Sequence, residues 1–181
     1  MDFLDRVRKY YQEMLGRVQQ RQAPPVVVAQ PTTVPTPTAV PTPTVIPQTP
    51  KRYQQTIYDA ASKYNIPANI LSAQISAESN FNPTATSTMG AQGISQFMPG
   101  TVKDLERLGY GKFDPYNPRQ AIPAQAFYLD YLRKQLGVDD VFEALKAYNA
   151  GIGNYKKYNG NIPFSETQNY VKRIRGLVGN Q

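Results

Sequence analysis

The stretch that decides the fold is residues 68–99, which read ANILSAQISAESNFNPTATSTMGAQGISQFMP. In its first part, apolar residues such as Ile75 recur at the spacing of one helix face, which predicts a helix over residues 68–79. Residues 80–93 are rich in Asn, Thr, Ser and Gly, and this composition predicts a loop. Glu78 therefore lies in the last turn of the predicted helix, at the edge of its apolar stripe.

The position of Glu78 suggests a carboxyl with an unusual pKa. The negative end of the helix dipole and apolar neighbours both disfavour the ionised form, so we expect a raised pKa. A carboxyl that remains protonated near neutral pH can act as a general acid. A Glu near a helix end is more often an ordinary solvated surface residue, and its position alone leaves that alternative open.

The rest of the chain from residue 51 onward also predicts helices. Apolar residues recur at helical spacing in five further segments, around residues 57–64, 96–108, 123–136, 140–149 and 165–178. No segment shows the apolar and polar alternation of a half-buried strand. We therefore expect a mainly α fold, with one globular domain over residues 51–181.

Two segments of different character precede this domain. Residues 1–22 carry apolar residues at heptad-like spacing, which predicts an amphipathic helix for docking or oligomerisation, with a frayed tail as the alternative. Its partner would be an unknown protein or a membrane surface. Residues 23–50 contain no charged residue and nine of the 16 prolines, which predicts an extended Pro/Thr-rich linker.

The composition excludes several classes of chemistry. The chain has no Cys and no His, so Cys nucleophiles, Ser-His-Asp triads and most transition-metal sites are ruled out, and we expect neither a cofactor nor a metal. The net charge of +7 favours an anionic partner such as an acidic wall polymer. No nucleic-acid recognition motif is present, so we expect no nucleic-acid partner. The charged start of the chain lacks the apolar core of a classical signal peptide.

Four motifs of the globular part together resemble the signature of the soluble lytic transglycosylase family. They are ESNFNP at 78–83, the run at 87–99, AYNAG at 147–151 and ETQNYV at 166–171. The resemblance implies a lysozyme-like helical domain that cleaves the bond between N-acetylmuramic acid and N-acetylglucosamine in peptidoglycan. It further implies that Glu78 is the catalytic acid and base, and that the product ends in 1,6-anhydromuramic acid.

The resemblance also assigns roles in substrate binding. Ser87 would orient the N-acetyl group of the substrate, with a plain turn residue as the alternative. Gln96 and Met98 would line the cleft, although Met98 could equally be a core residue.

Further roles follow from the last two motifs. Tyr148 and Asn149 would lie at the substrate, and the Tyr148 hydroxyl would form a hydrogen bond near Glu78 that positions it. Ala147 and Glu166 would support the site. Glu166 could instead be an acidic residue that merely stabilises a helix N-terminus.

The spacing of carboxylates bears on the reaction type independently of the resemblance. Most glycosidases use two carboxylates, yet no Asp or Glu lies between Glu78 and Asp104. Intramolecular attack by the substrate needs only one acid and base, which favours the transglycosylase. The alternatives are a goose-type-like lysozyme that recruits Asp104 or Asp114, and an inactive wall-binding protein.

The three-part organisation suggests where the protein acts. A wall-cleaving domain behind a linker and a docking helix, with no signal peptide, suits a virus particle that opens the bacterial wall during entry. An extracytoplasmic lysis protein exported by a partner is the alternative.

Overall fold

The structure, a computed structural model, describes residues 44–179. In this part of the chain seven helices follow one another and no strand forms: α1 (Lys51–Tyr64), α2 (Ala68–Ser79), α3 (Pro99–Arg107), α4 (Pro118–Leu136), α5 (Val141–Ala150), α6 (Ile152–Lys157) and α7 (Ser165–Gly179). The mainly α fold class is therefore confirmed. None of the described helices combines the length and apolar character needed to cross a bilayer.

Helix α2 packs against α1 and α7. Its bounds match the predicted ones, but it is buried on more sides than an apolar stripe requires, since Ser72 and Gln74 are fully buried beside Leu71 and Ile75. Asn80 ends the helix in the left-handed conformation (φ 51°), and the next residue, Phe81, is left-handed as well (φ 62°). The chain therefore turns sharply just after Glu78.

Two predicted helix starts are wrong. The helix expected from Gln96 begins only at Pro99, because residues before it pair through their backbones: Gln92 and Phe97 exchange two N–H···O bonds of 2.9 and 3.1 Å. The helix expected from Pro123 begins at Pro118, because the Asn117 side chain caps it by accepting the Arg119 N–H. The short α6 was not predicted, since six residues are too few to show a helical period.

The other helices pack against one another and complete the scaffold. Helix α4 packs against α1 on one side and α5 on the other, and α5 also contacts α7. The Asp140 side chain caps α5 by accepting the Phe142 N–H at 2.8 Å. The ends of α2, α5 and α7 are thereby brought to one side of the molecule, where the loop after α2 also lies.

The packed domain begins before the predicted boundary at residue 50. Ile46 is fully buried and Val45 nearly so, and the Thr49 hydroxyl donates to the Ile46 carbonyl oxygen at 2.7 Å. The same hydroxyl is hydrogen-bonded to Ser72 of α2. The linker prediction is thus wrong over residues 45–49, because their Pro/Thr composition conceals two side chains that enter the core. The predicted helix at 1–22 and the rest of the linker lie outside the described residues.

Replacement of Ile46 by alanine is expected to destabilise the domain by about 2–4 kcal/mol, because it leaves a cavity in the core. Urea denaturation followed by circular dichroism measures this change. Gln48→Ala is the matched control, since Gln48 is exposed in the same segment. Equal midpoints for the two variants would show that the segment does not belong to the domain.

Candidate active site

A cleft of about 680 Å³ opens where the ends of α2, α5 and α7 meet the loop that follows α2. Most of the site residues predicted from the sequence line it: Glu78, Ser87, Gln96, Met98, Tyr148, Asn149 and Glu166. Ala147 is fully buried and lies behind this surface. The cleft is also lined by residues for which the sequence predicts no role: Ala77, Met89, Ala91, Asn169, Tyr170 and Arg173.

Glu78 is enclosed on most sides but keeps one edge at the cleft. Burial raises the pKa of its carboxyl from 4.5 to about 7. The hydrogen bond from Tyr170 and the positive charge of Arg173 act in the opposite direction and lower this pKa. The shift has the direction expected from the sequence, and burial is its main cause. A carboxyl with this pKa is available in both protonation states near neutral pH.

The hydrogen-bond partner of Glu78 is Tyr170 and not Tyr148. The Tyr170 hydroxyl donates to Glu78 Oε1 at 2.6 Å, across 92 residues of sequence. The Tyr148 hydroxyl donates instead to the backbone oxygen of Ser95 at 2.9 Å. Tyr148 therefore anchors the loop wall of the cleft, residues 85–98, beside Glu78. Burial and the nearby Glu78 raise the pKa of both tyrosines, which keeps their hydroxyls protonated as donors.

Tyr170 could have been found from the sequence. It belongs to the ETQNYV motif and lies four residues after Glu166, so the two share one face of α7. Behind it, the fully buried Gln74 amide lies one turn before Glu78 and lowers the pKa of Tyr170. This amide makes no well-formed hydrogen bond among the described residues.

The loop wall of the cleft is held by its own side chains. Ser87 Oγ accepts the Ala91 N–H at 3.0 Å, so the turn role that we considered for Ser87 coexists with its position at the cleft. The Gln96 amide donates to the backbone oxygens of Gly93 and Ala85 at 2.8 and 3.2 Å. Gln96 therefore fixes the loop as well as lining the cleft.

Two apolar side chains stand open at this wall. Met98 is 42% exposed, which is inconsistent with the alternative that it is a core residue. Met89 is 79% exposed and lines the same cleft. Exposed apolar side chains at a cleft can contact the apolar parts of a ligand.

The opposite wall is the cleft-facing side of α7. Asn149 at the end of α5 accepts the Thr167 hydroxyl at 2.7 Å, which ties α5 to the start of α7. Glu166 lies exposed in the first turn of α7 and lines the cleft. Its position is compatible both with a role at the site and with the stabilisation of the helix N-terminus.

Comparison with known proteins agrees with this architecture. The chain is 34% identical over 143 residues to the soluble lytic murein transglycosylase of Escherichia coli K12, which covers 69% of this chain and 22% of the relative. It is 32% identical over 135 residues to a transglycosylase of Enterobacteria phage PRD1. The aligned region covers 71% of this chain and 45% of the relative. The chain thus spans less than half the length of these two relatives.

Among solved structures, the fold matches the lytic transglycosylase Slt of Pseudomonas aeruginosa, solved as an inactive mutant in which glutamine replaces a glutamate. The TM-score is 0.63 and the identity 26%, over 72% of this chain and 24% of the other. Residues 55–171, most of the described part, match the family described as the transglycosylase SLT domain. The chain therefore belongs to the transglycosylase SLT domain family, with its lysozyme-like helical fold.

Proposed function

We propose that this protein is a peptidoglycan lytic transglycosylase that cleaves the bond between N-acetylmuramic acid and N-acetylglucosamine. The observation that carries this proposal is the enclosed carboxyl of Glu78, whose pKa of about 7 suits an acid that later acts as a base. Membership of the family and the inactive glutamine mutant of the Pseudomonas relative support it.

The reaction uses Glu78 twice. Protonated Glu78 donates its proton to the glycosidic oxygen as the bond to C1 of the muramoyl residue breaks. The carboxylate then accepts the proton of the muramoyl 6-hydroxyl as O6 attacks C1, so the 1,6-anhydro ring closes without water. Because Tyr170 holds Oε1, Oε2 is the oxygen available to the substrate. Electrostatic support for the positive charge at C1 would come from the N-acetyl group, oriented by Ser87.

Neither of the two carboxylates that could serve a hydrolase, Asp104 and Asp114, lies at the cleft. Asp104 is paired with Arg107 on α3, and Asp114 accepts the Tyr116 N–H at 2.9 Å. The cleft does contain a second carboxyl, Glu166 on α7. A lysozyme of this fold would therefore have to use Glu166 to activate water.

Mass spectrometry of fragments released from purified peptidoglycan by the full chain tests the proposal. Fragments that end in 1,6-anhydromuramic acid are expected. A hydrolase would instead release fragments with a reducing end, which are heavier by one water. The Glu166→Gln variant would then release none of these fragments. Binding to peptidoglycan without any release would identify a wall-binding protein.

Tyr170→Phe is expected to shift the high-pH limb of the pH–rate profile for cleavage to higher pH. The hydrogen bond from Tyr170 lowers the pKa of Glu78, so its removal raises that pKa further above about 7 and keeps the acid protonated at higher pH. We also expect the maximal rate to fall about tenfold, since the acid loses its fixed orientation. Rates measured from pH 5 to pH 9 give both quantities.

Tyr148→Phe is the matched control for this prediction. It removes a hydroxyl from the same cleft, but one that donates to the Ser95 backbone oxygen and not to Glu78. The high-pH limb should therefore stay where it is in the wild type. If both variants move the limb equally, the contact between Tyr170 and Glu78 does not set this pKa.

We further propose that the protein acts at the bacterial cell wall as a component of a virus particle. The similarity to a transglycosylase of phage PRD1 supports this site of action. Residues 1–22 would attach the protein to a protein or membrane partner through the linker. Proteomic analysis of purified particles tests the proposal, and detection of the protein only in the host cytoplasm would contradict it.

A further inference from the structure

The cleft-facing side of α7 carries an isolated positive charge. Glu166, Asn169, Tyr170 and Arg173 recur at spacings of three and four and all line the cleft, so they form one stripe of the helix. Arg173 is the one cationic side chain among the described residues that line the cleft. It lies one turn beyond Tyr170, the hydrogen-bond partner of Glu78.

Arg173 is held in place but is not neutralised. Its guanidinium donates to the backbone oxygen of Ala77, the residue before Glu78, which fixes the group at the end of α2. Within residues 44–179 no carboxylate forms an ion pair with it. The side chain is exposed, and a guanidinium has five N–H donors, so most of its donor capacity remains for a ligand.

We propose that Arg173 binds a carboxylate of the glycan substrate and thereby favours strands whose muramic acid carries a negative charge. A guanidinium pairs with a carboxylate through two parallel hydrogen bonds, which gives both strength and orientation. Muramic acid can present such a group in two ways. Where the stem peptide is attached, the group is a carboxylate of that peptide, since the lactyl carboxyl then forms the amide bond to it; where the peptide has been removed, the group is the lactyl carboxylate itself. This inference rests on the proposed function and names a substrate feature that the cleft selects.

Binding of a carboxylate here would also assist Glu78. The groups that face this acid are Tyr148 from α5, and Tyr170 and Arg173 from α7, with Glu166 in the same cleft. The loop wall, residues 85–98, has no charged or titratable residue. Arg173 alone lowers the pKa of Glu78 through its charge, so a substrate carboxylate that pairs with it would favour the protonated acid.

The test compares cleavage of native peptidoglycan with cleavage of the same material after its carboxyl groups have been converted to amides. The full chain is used as wild type, Arg173→Gln, Arg173→Lys and Lys172→Gln. Lys172 is the matched control, because it is an exposed cation on the same helix that faces a different cavity. The ratio of the two rates within each variant does not depend on how much of the protein is folded.

We expect the wild type to cleave the native substrate about tenfold faster than the amidated one. Arg173→Gln should lose this preference, Lys172→Gln should keep it, and Arg173→Lys should retain part of it. The same comparison on strands stripped of peptide by an amidase assigns the source. A preference confined to the peptide-bearing strands identifies the stem peptide, and a preference on the stripped strands shows that the newly freed lactyl carboxylate is bound.

Equal rates of the wild type on the native and amidated forms, for peptide-bearing and for stripped strands alike, would overturn the inference. An equal reduction of the preference in Arg173→Gln and Lys172→Gln would also overturn it, since the effect would then come from the overall charge. In both cases the products still end in 1,6-anhydromuramic acid, so the proposed function stands. Absence of such products from the native substrate would instead remove the proposed function, and this inference with it.

Discussion

Replacement of Glu78 by glutamine is expected to slow peptidoglycan cleavage by between about a hundredfold and ten-thousandfold, because the amide can neither donate nor accept the proton in transit. The fold should be retained, since the substitution preserves the shape of a side chain at the end of α2. Glu106→Gln is the matched control, because it makes the same change on α3, outside the cleft. Cleavage near the wild-type rate by Glu78→Gln would remove the carboxyl from the mechanism.

The same variant should be more stable than the wild type at high pH. In the folded protein the pKa of Glu78 is about 7 instead of 4.5, so ionisation of this group opposes folding. The destabilisation is absent below about pH 4.5 and grows as the pH rises through 7. Its upper bound is about 3 kcal/mol, and the edge that Glu78 keeps at the cleft reduces it.

Thermal unfolding at pH 4 and at pH 8 measures this effect. The melting temperatures of the two proteins should coincide at the lower pH and differ at the higher pH, with Glu78→Gln the more stable. A difference of the same size at both pH values would mean that the ionisation of Glu78 does not cause it. Activity and stability then oppose each other at this residue, as is common for active-site groups.

Replacement of Gly93 by alanine is expected to disrupt the loop wall of the cleft. A Cβ at this position would lie 1.8 Å from the carbonyl oxygen of Pro115, and the backbone is left-handed there (φ 70°). Gly93 also donates its N–H to Ala85 and accepts the Gln96 amide, so its displacement would move the residues that face the substrate. The expected cost is about 2–5 kcal/mol, together with a large loss of cleavage.

Gly90→Ala separates the two causes of this loss. Gly90 has a similar backbone conformation (φ 85°), but a Cβ there would meet nothing within 4 Å. Only the cost of the left-handed backbone applies, about 1–2 kcal/mol. Gly93→Ala should therefore unfold at a much lower urea concentration than Gly90→Ala and cleave peptidoglycan much more slowly. Equal effects would mean that the backbone conformation, and not contact with Pro115, is what alanine disturbs at Gly93.

Local signals explain why the central part of the fold could be predicted. The break at Asn65-Ile66-Pro67 and the polar loop after Ser79 mark the ends of α2, so its bounds follow from neighbouring residues. The start of α3 could not be found in this way, because the pairing of Gln92 with Phe97 competes with the helix. That pairing is a property of the folded loop and leaves no periodic pattern.

The motifs could predict which residues meet at the candidate site, but not the contacts that they make there. The motif residues converge on one cleft, yet the identity of the tyrosine that bonds Glu78 depends on how α7 docks on α2. Ile46 was missed for a related reason. One apolar side chain in a Pro/Thr-rich segment has no pattern of its own, and only the pocket that receives it shows that it is a core residue.

The environment of Glu78 depends on α7, a helix that the ribosome synthesises long after Glu78 itself. Tyr170 and Arg173 both come from α7, and Tyr170 is 92 residues away in the sequence. On a nascent chain that has not yet formed α7, Glu78 lacks the Tyr170 hydroxyl that donates to Oε1 and the side of the cleft that α7 supplies. The candidate site around Glu78 would therefore be complete only after the last described helix has folded against α2.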